Sequence, residues 1–319
     1  VKRILIIQTA FLGDVILATP VVSELKRLYP EAEIDVVVKK GNEGLLENHV
    51  DVHRVFVFDK GAGKWKALRL LIKEFRKRSY DLAINLHRFG SSGYMTVRSG
   101  AKKRYGFAAN PFSFLYTKRF AHRIGDGTHE VERNLSLIRE FGAEARVRPS
   151  LYPNGADFET AAPYKDTPYF CLAPASVWFT KQLPEEQWIA LITKLGKDKI
   201  YLLGAPGDHA LCERIRNASG EHVVNLAGKL SLLASAALMK DARRCYVNDS
   251  GPLHLASAMN APTTAFFCST VTDFGFGPLA DDAVVREVKN LDCRPCGLHG
   301  HKSCPKGHFK CGREIAIDA

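Results

Sequence analysis

The chain has 319 residues, 46% apolar and 25% charged, with 45 Lys and Arg against 34 Asp and Glu for a formal charge of +11. At roughly 100–200 residues per domain, this length predicts two domains that bury their own cores without disulfide or metal support. The composition excludes disordered, collagen-like and mini-protein classes, and no apolar run approaches the roughly 18–20 residues of a membrane-spanning helix.

The opening run Val1-Lys2-Arg3-Ile4-Leu5-Ile6-Ile7 turns polar at Gln8, too soon for a secretory signal, so a cytoplasmic protein is expected. In that compartment the eight Cys read as free thiols or metal ligands rather than disulfides. Residues 1–150 carry 27 Lys and Arg against 16 Asp and Glu, whereas residues 151–319 carry 18 of each. The whole excess therefore sits in the first half, which should face something anionic: a phosphorylated glycolipid, a membrane surface or nucleic acid.

In chain order, strands are predicted at 4–7, 34–38, 55–58 and 82–86, with helices at 15–28 and 65–77 between them. A Pro-rich stretch at 148–168 reads as a linker, after which strands are predicted at 169–173, 200–203, 245–248 and 263–267. This is the βαβ grammar of two successive Rossmann-like halves, whose ligands bind beyond the carboxyl ends of the strands.

The first strand leads into Thr9-Ala10-Phe11-Leu12-Gly13-Asp14, and Pro20 either kinks the following helix or marks a restart with Thr19 as N-cap. Asp14 is placed either to cap that helix or to take a proton from a hydroxyl nucleophile. Neither the lone Gly13 nor Gly61-Ala62-Gly63-Lys64 meets the dinucleotide or P-loop pattern, so NAD and simple ATPase readings fall back. In the second half, Asn248-Asp249-Ser250-Gly251-Pro252-Leu253-His254 joins a strand to a helix, with Asp249 or Ser250 as cap and free N–H groups that suit a diphosphate. Pro174-Ala175-Ser176 ends the first strand of this half, Lys181 precedes a helix opened by Pro184, and Gly204-Ala205-Pro206-Gly207-Asp208 closes the next strand. Asp208 suits ribose hydroxyls or a plain Pro-Gly turn.

Taken together, Leu12-Gly13-Asp14, Pro174-Ala175-Ser176 with Lys181-Gln182-Leu183-Pro184, Gly204 to Asp208, Asn225-Leu226-Ala227-Gly228-Lys229 and Asn248 to His254 resemble glycosyltransferase family 9, the heptosyltransferases of lipopolysaccharide core assembly. The resemblance implies the α/β GT-B fold: an acceptor-binding Rossmann-like domain at 1–165 and a nucleotide-sugar domain at 166–319, facing a central cleft. It implies inverting transfer of heptose from ADP-L-glycero-D-manno-heptose to a Kdo- or heptose-terminated lipid A acceptor at the inner membrane face. Asp14 would be the catalytic base, Lys181, Asp249, Ser250, Gly251 and His254 would bind the donor diphosphate, Asp208 its ribose, and Ser176 would also contact the donor. Arg88, Arg98, Lys102, Lys103, Arg104, Lys118 and Arg119 are the candidates for the anionic acceptor.

No D-x-D pair occurs, so no cofactor or divalent ion is demanded, and Asp14 needs no unusual pKa to act as a base at neutral pH. The tail holds Cys293, Cys296, Cys304 and Cys311 in C-x₂-C-x₇-C-x₆-C spacing with His299, His301 and His308, which allows a structural zinc or free thiols. Glu314 to Ala319 stops where family members begin a closing helix, so truncation is expected, as the missing initiator Met also suggests. Two other readings stand beside the main one. The first is a GT-B transferase or 2-epimerase for another nucleotide sugar. The second is a basic nucleic-acid-binding protein with a zinc-bearing tail, disfavoured because neither finger spacing nor an aromatic RNA-binding strand occurs.

Overall fold

The computed structural model describes residues 1–61 and 63–317. Ala62 of the Gly61–Lys64 segment and the terminal Asp318 and Ala319 lie outside the described residues. Two compact units form: the first from Val1–Ile124 and Thr128–Tyr152, the second from Gly125–Gly127 and the chain from Pro153 onward.

In the first unit the elements run β1 (Arg3–Ile7), α1 (Leu12–Ile16), α2 (Thr19–Leu28), β2 (Glu33–Lys39), β3 (Arg54–Phe58), α3 (Lys64–Arg78), β4 (Leu82–Asn85), α4 (Gly90–Arg98), β5 (Lys103–Phe107), β6 (Lys118–Phe120) and α5 (Glu130–Ser136). All six strands are parallel, in the order β3-β2-β1-β4-β5-β6. In β1, Ile4, Leu5, Ile6 and Ile7 are all fully buried, as expected of a central strand covered on both faces. Helix α3 turns Leu68, Leu71, Ile72 and Phe75, an i, i+3, i+4, i+7 stripe, onto Leu5, Val37 and Phe58, each side chain stabilising by roughly 1.5–3 kcal/mol. Its last residue is pinned at the amino edge of the sheet, where Arg78 Nε lies 2.7 Å from Asp35 Oδ2 and Tyr80 donates to the same carboxylate at 2.5 Å.

The second unit repeats the plan: α6 (Gly155–Ala161), β7 (Tyr169–Ala173), α7 (Glu185–Leu195), β8 (Lys199–Leu202), α8 (His209–Ser219), β9 (Val223–Asn225), α9 (Leu232–Lys240), β10 (Arg244–Asn248), α10 (Gly251–Ala258), β11 (Thr263–Phe267), β12 (Ala283–Glu287) and α11 (Lys310–Arg313). The order β12-β11-β10-β7-β8-β9 is again fully parallel and matches the first sheet, with β7 taking the place of β1 and β10 that of β4. Chain order therefore reverses at β1/β4 in one unit and at β7/β10 in the other, and the crevice for a ligand lies beyond those carboxyl ends.

Several sequence expectations change in detail. The division between units falls at Tyr152/Pro153 rather than 165/166, because the expected linker contains α6, started by a reciprocal cap in which Asn154 and Asp157 each accept the other's N–H at 3.0 Å. Of the two outcomes expected at Pro20 the restart is found, so 15–28 spans two helices, but Thr19 is not the cap of the second: Ala18 takes that position while the Thr19 hydroxyl donates to Ile16 O at 2.8 Å. The strands β5, β6, β9 and β12 escape periodicity, since each has only three to five residues with charged or polar groups among them, as in Lys118-Arg119-Phe120, and none carries an apolar run of four. No helix among the described residues is long and apolar enough to cross a membrane.

Candidate active site

At the carboxyl ends of β1 and β4 the first unit gathers its titratable groups. Asp14 is the third residue of α1, not its N-cap, which is Phe11; its carboxylate reaches back to accept the Phe11 N–H at 3.1 Å, the N3 half of a capping box. Burial, and then the charge of Glu130, push its carboxyl up to about 6, against the hydrogen bonds from the Phe11 and Asp14 N–H groups and the Arg88 charge. A base at neutral pH needs no such shift; it arises because low-dielectric surroundings disfavour the ionised form. His87 moves the other way: burial, and then Lys60, Arg88 and Lys39, push it down to about 4, so it is neutral at pH 7 with Nδ1 2.9 Å from Thr9 Oγ1. Lys39, whose ammonium sits 4.5 Å from the Phe11 ring centroid, is likewise held below the usual lysine range by burial and by Lys60.

A buried polar network fixes the loop that carries His87 and Arg88. Asn85 Oδ1 accepts the His87 N–H at 3.0 Å, and Asn110 Nδ2 donates to His87 O and Phe89 O, each at 3.0 Å. Gly93 makes room for this, because a Cβ there would stand 2.0 Å from Asn110 Oδ1. Behind Asp14, Glu130 is buried and paired with Arg133 Nε at 2.7 Å, with His122 Nε2 at 3.7 Å. Burial raises the Glu130 carboxyl, but the His122 hydrogen bond and the Arg133 charge outweigh it and hold the group ionised below the usual carboxylate range. Beside this cluster, a cavity of about 450 Å³ is lined by Lys60, Lys64, Trp65, Phe89, Tyr94 and Phe112 among others.

The equivalent strand ends of the second unit hold the other motifs. Lys181 Nζ meets Asp249 Oδ2 at 2.7 Å, and Thr270 donates to the same oxygen at 2.6 Å. Asn248 fixes the segment that presents Lys181, accepting the Leu183 N–H at 2.9 Å and donating to Pro174 O at 2.8 Å. Ser250 is the N-cap of α10, yet its hydroxyl makes no capping bond and reaches only Asn248 O at 3.4 Å. The Gly251 end of this eight-residue helix is thus left without a side-chain acceptor, next to Lys181. His254, one turn in, is buried and faces the Phe276 ring rather than solvent. Ser176 stands on the loop after β7, its carbonyl taken by Gln182 Nε2. Asp208 sits beyond β8 and accepts the Ala205 N–H at 2.8 Å, closing the Pro-Gly turn that was one of the two roles expected for it. The loop 225–229 packs on that turn through Gly228, with φ +77°, where a Cβ would stand 2.8 Å from Pro206 Cα.

A family model described as glycosyltransferase family 9 (heptosyltransferase) matches residues 68–306. The chain belongs to glycosyltransferase family 9. Lipopolysaccharide heptosyltransferase 1 of Pseudomonas aeruginosa is 28% identical over 311 residues, covering 92% of this chain and 86% of that protein. Among solved structures, ADP-heptose lps heptosyltransferase II of E. coli matches with a TM-score of 0.78 at 22% identity, over 92% of this chain and 96% of that one. E. coli heptosyltransferase WaaC with ADP-2-deoxy-2-fluoro heptose matches with a TM-score of 0.70 at 22% identity, over 89% and 92%. The two parallel six-stranded sheets are those of the GT-B class, and the chain is a glycosyltransferase.

Within this family-9 fold the cationic acceptor candidates part company. Arg88 is at the carboxyl end of β4, close enough for its charge to act on Asp14. Arg98 ends α4, and Lys102, Lys103 and Arg104 begin β5, which puts all four at the amino edge of the sheet. Lys102 is paired there with Asp81 at 2.8 Å, and Arg104 donates to Leu115 O and Ala101 O. Lys118 and Arg119 lie on the edge strand β6, the first paired with Glu140. Only their place in the basic first half of the sequence had grouped these residues with the acceptor. The Cys-rich tail does not form the zinc geometry its spacing allows: among the described residues no three His, Cys, Asp or Glu side chains are grouped to hold a metal, and Cys293 Sγ is 3.9 Å from His308 Nε2. Instead the tail packs into the second unit's core through Phe309, Cys311, Ile315 and Ile317, and His301 exchanges hydrogen bonds with Thr180 beside Lys181.

Sequence reading did not single out Lys39, Lys60, His87, Glu130 or Thr270. The first three were findable, since each follows a β-strand where parallel sheets bind ligands. Glu130 and Thr270 carry no local signal, because their neighbours in space are remote in sequence.

Proposed function

We propose that this family-9 enzyme is an inverting heptosyltransferase that moves heptose from ADP-heptose to a lipopolysaccharide inner-core acceptor, working in the cytoplasm at the inner membrane face. The observation that carries the chemistry is Asp14 with its carboxyl near 6 at the β1/β4 switch point. A carboxylate of that basicity is ionised at neutral pH and still strong enough to take a proton from an acceptor hydroxyl. The freed oxygen attacks the anomeric carbon, and the nucleotide diphosphate leaves from the opposite face. His87, held near 4, is the weaker base and serves to shape the pocket with Thr9.

The leaving diphosphate is received by Lys181 and the uncapped start of α10, with Ser250 and Gly251 at that start, so no divalent ion is required. Asp249 acts at one remove: a buried carboxylate would repel a diphosphate, whereas paired with Lys181 and Thr270 it aims the ammonium. Buried His254 supports the α10 turn, and Asp208 keeps the ribose role alongside its turn-closing one. On the acceptor side Arg88, Lys39 and Lys60 meet the anionic sugar. The names of the relatives support this reading, and the neighbour WaaC was solved with an ADP-heptose analogue. Calorimetry with ADP-heptose, ADP-glucose and UDP- or GDP-sugars tests it: ADP-heptose should bind best, and equal binding of all donors would remove the donor assignment.

A further inference from the structure

Helix α3 carries seven Lys and Arg and one acid, Glu74, a net +6 of the chain's +11 within fifteen residues. With Leu68, Leu71, Ile72 and Phe75 turned inward, its opposite face presents Lys66, Arg69, Leu70, Lys73, Arg76 and Lys77 at helical i, i+3, i+4, i+7 spacing. Glu74 is spent on Lys77 at 2.6 Å, and Lys66, Arg69 and Lys73 have no ion-pair partner among the described residues. Like charges at that spacing repel and weaken an isolated helix, where a merely solvated face would intersperse signs. Two large apolar groups stand exposed with them: Leu70, 57% exposed, inside the cationic stripe, and Trp65, 64% exposed, at the start of the helix. Trp65 also lines the cavity shared with Lys60 and Phe89, on the sheet edge that holds Asp14.

We propose that the outward face of α3 is a docking surface for an anionic phospholipid bilayer, with Leu70 and Trp65 entering the interface and the lysines and arginines meeting lipid phosphates. The proposal deepens the membrane part of the function above, and its footing is the helix's own charge and exposed side chains. A bilayer is favoured over a polynucleotide because Leu70 interrupts the cations with an apolar group that a phosphate backbone does not use, and because Trp suits a membrane interface. Anchored this way, the pocket at the amino end of α3 lies at the surface from which a lipid-borne acceptor arrives.

The test is co-sedimentation of the whole chain with vesicles of phosphatidylcholine alone or mixed with phosphatidylglycerol, with Trp fluorescence read in parallel. Binding is expected to the anionic vesicles only, with a blue shift that disappears in Trp65→Phe, and half-molar salt should release the protein. The double variant Arg69→Glu/Lys73→Glu touches exposed, unpaired side chains and should weaken vesicle binding roughly tenfold or more, at about a factor of five for each charge removed. Lys66→Gln/Arg69→Gln should give a smaller loss in the same direction. Equal binding to neutral vesicles, or undiminished binding by the double variant, overturns the proposal. So does tighter, charge-dependent binding to polynucleotide than to anionic vesicles. Turnover of a water-soluble, deacylated acceptor should be unchanged in the double variant while turnover of vesicle-borne acceptor falls. Failure of the donor assignment would instead abolish both turnovers and leave vesicle binding intact.

Discussion

Asp14 and His87 stand beyond the neighbouring strands β1 and β4 and are driven in opposite directions, because burial disfavours whichever form is charged. Since only ionised Asp14 can accept a proton, kcat/KM should fall below an acid limb near pH 6 and level off above it. Arg88→Gln removes a charge that favours ionisation, so the limb should move to higher pH in a pH–rate profile. Asp14→Asn should lower turnover by about 10²–10⁴ while calorimetry finds donor affinity retained; near-normal turnover would falsify the assignment of the base. The same shift has a stability consequence. A carboxyl raised from 3.8 to about 6 stabilises the fold fully below 3.8 and loses that contribution as pH rises through 6. Asp14→Asn should therefore make the protein more stable in urea at pH 7.5, by roughly 1–3 kcal/mol, with the gain shrinking toward pH 4. At this scale the sequence made Asp14 legible through its place after the first strand. Its basicity was not legible, because Glu130 reaches it through the fold and burial is not a property of a dipeptide.

The elements that present Lys181 and Arg88 are held by buried polar contacts, so damage to either should couple stability with binding. Lys181→Met leaves Asp249 largely buried without its cation and should cost about 3–5 kcal/mol in urea unfolding. Adding Asp249→Leu should restore most of that stability without restoring ADP-heptose affinity, which separates the structural pairing from the donor contact. Gly93→Ala pushes against Asn110 and should destabilise by about 1–3 kcal/mol, with higher KM for acceptor as the Arg88 loop loosens. The central strands were legible as unbroken apolar runs such as Ile4 to Ile7, and α3 by its apolar stripe. The restart at Pro20 was one of the two outcomes the sequence allowed, but its cap was misplaced by one residue and α6 was hidden, since Thr19 beside Pro20 looks like a cap and 148–168 looks like a linker until tertiary contacts decide.

Two sheets of the same strand order, each with its own core, make the molecule a repetition of one plan with different charges on it. Phe309, 4% exposed and 5.0 Å from the Phe179 ring, ties the tail into the second core, so Phe309→Ala should cost about 3–5 kcal/mol there. Hydrogen exchange should then quicken in β7, β8 and β10 while β1 and β4 keep their protection; equal loss in both sheets would mean the cores are not independent. Fold class was readable from the alternation of strand and helix. The placement of the cations within the fold was not, because Arg98 and Lys102 to Arg104 belong to the same basic half as Arg88 yet sit at the opposite, amino edge of the sheet.

The sheet thiols lend the molecule an internal clock. Cys171, Cys212, Cys245 and Cys268 are sealed in the second core, whereas Cys293, Cys296 and Cys304 are partly open to solvent. A maleimide dye would mark the tail first, and each later adduct would time a breathing event of the second unit alone, since the other unit contains no sulfhydryl to confuse the trace.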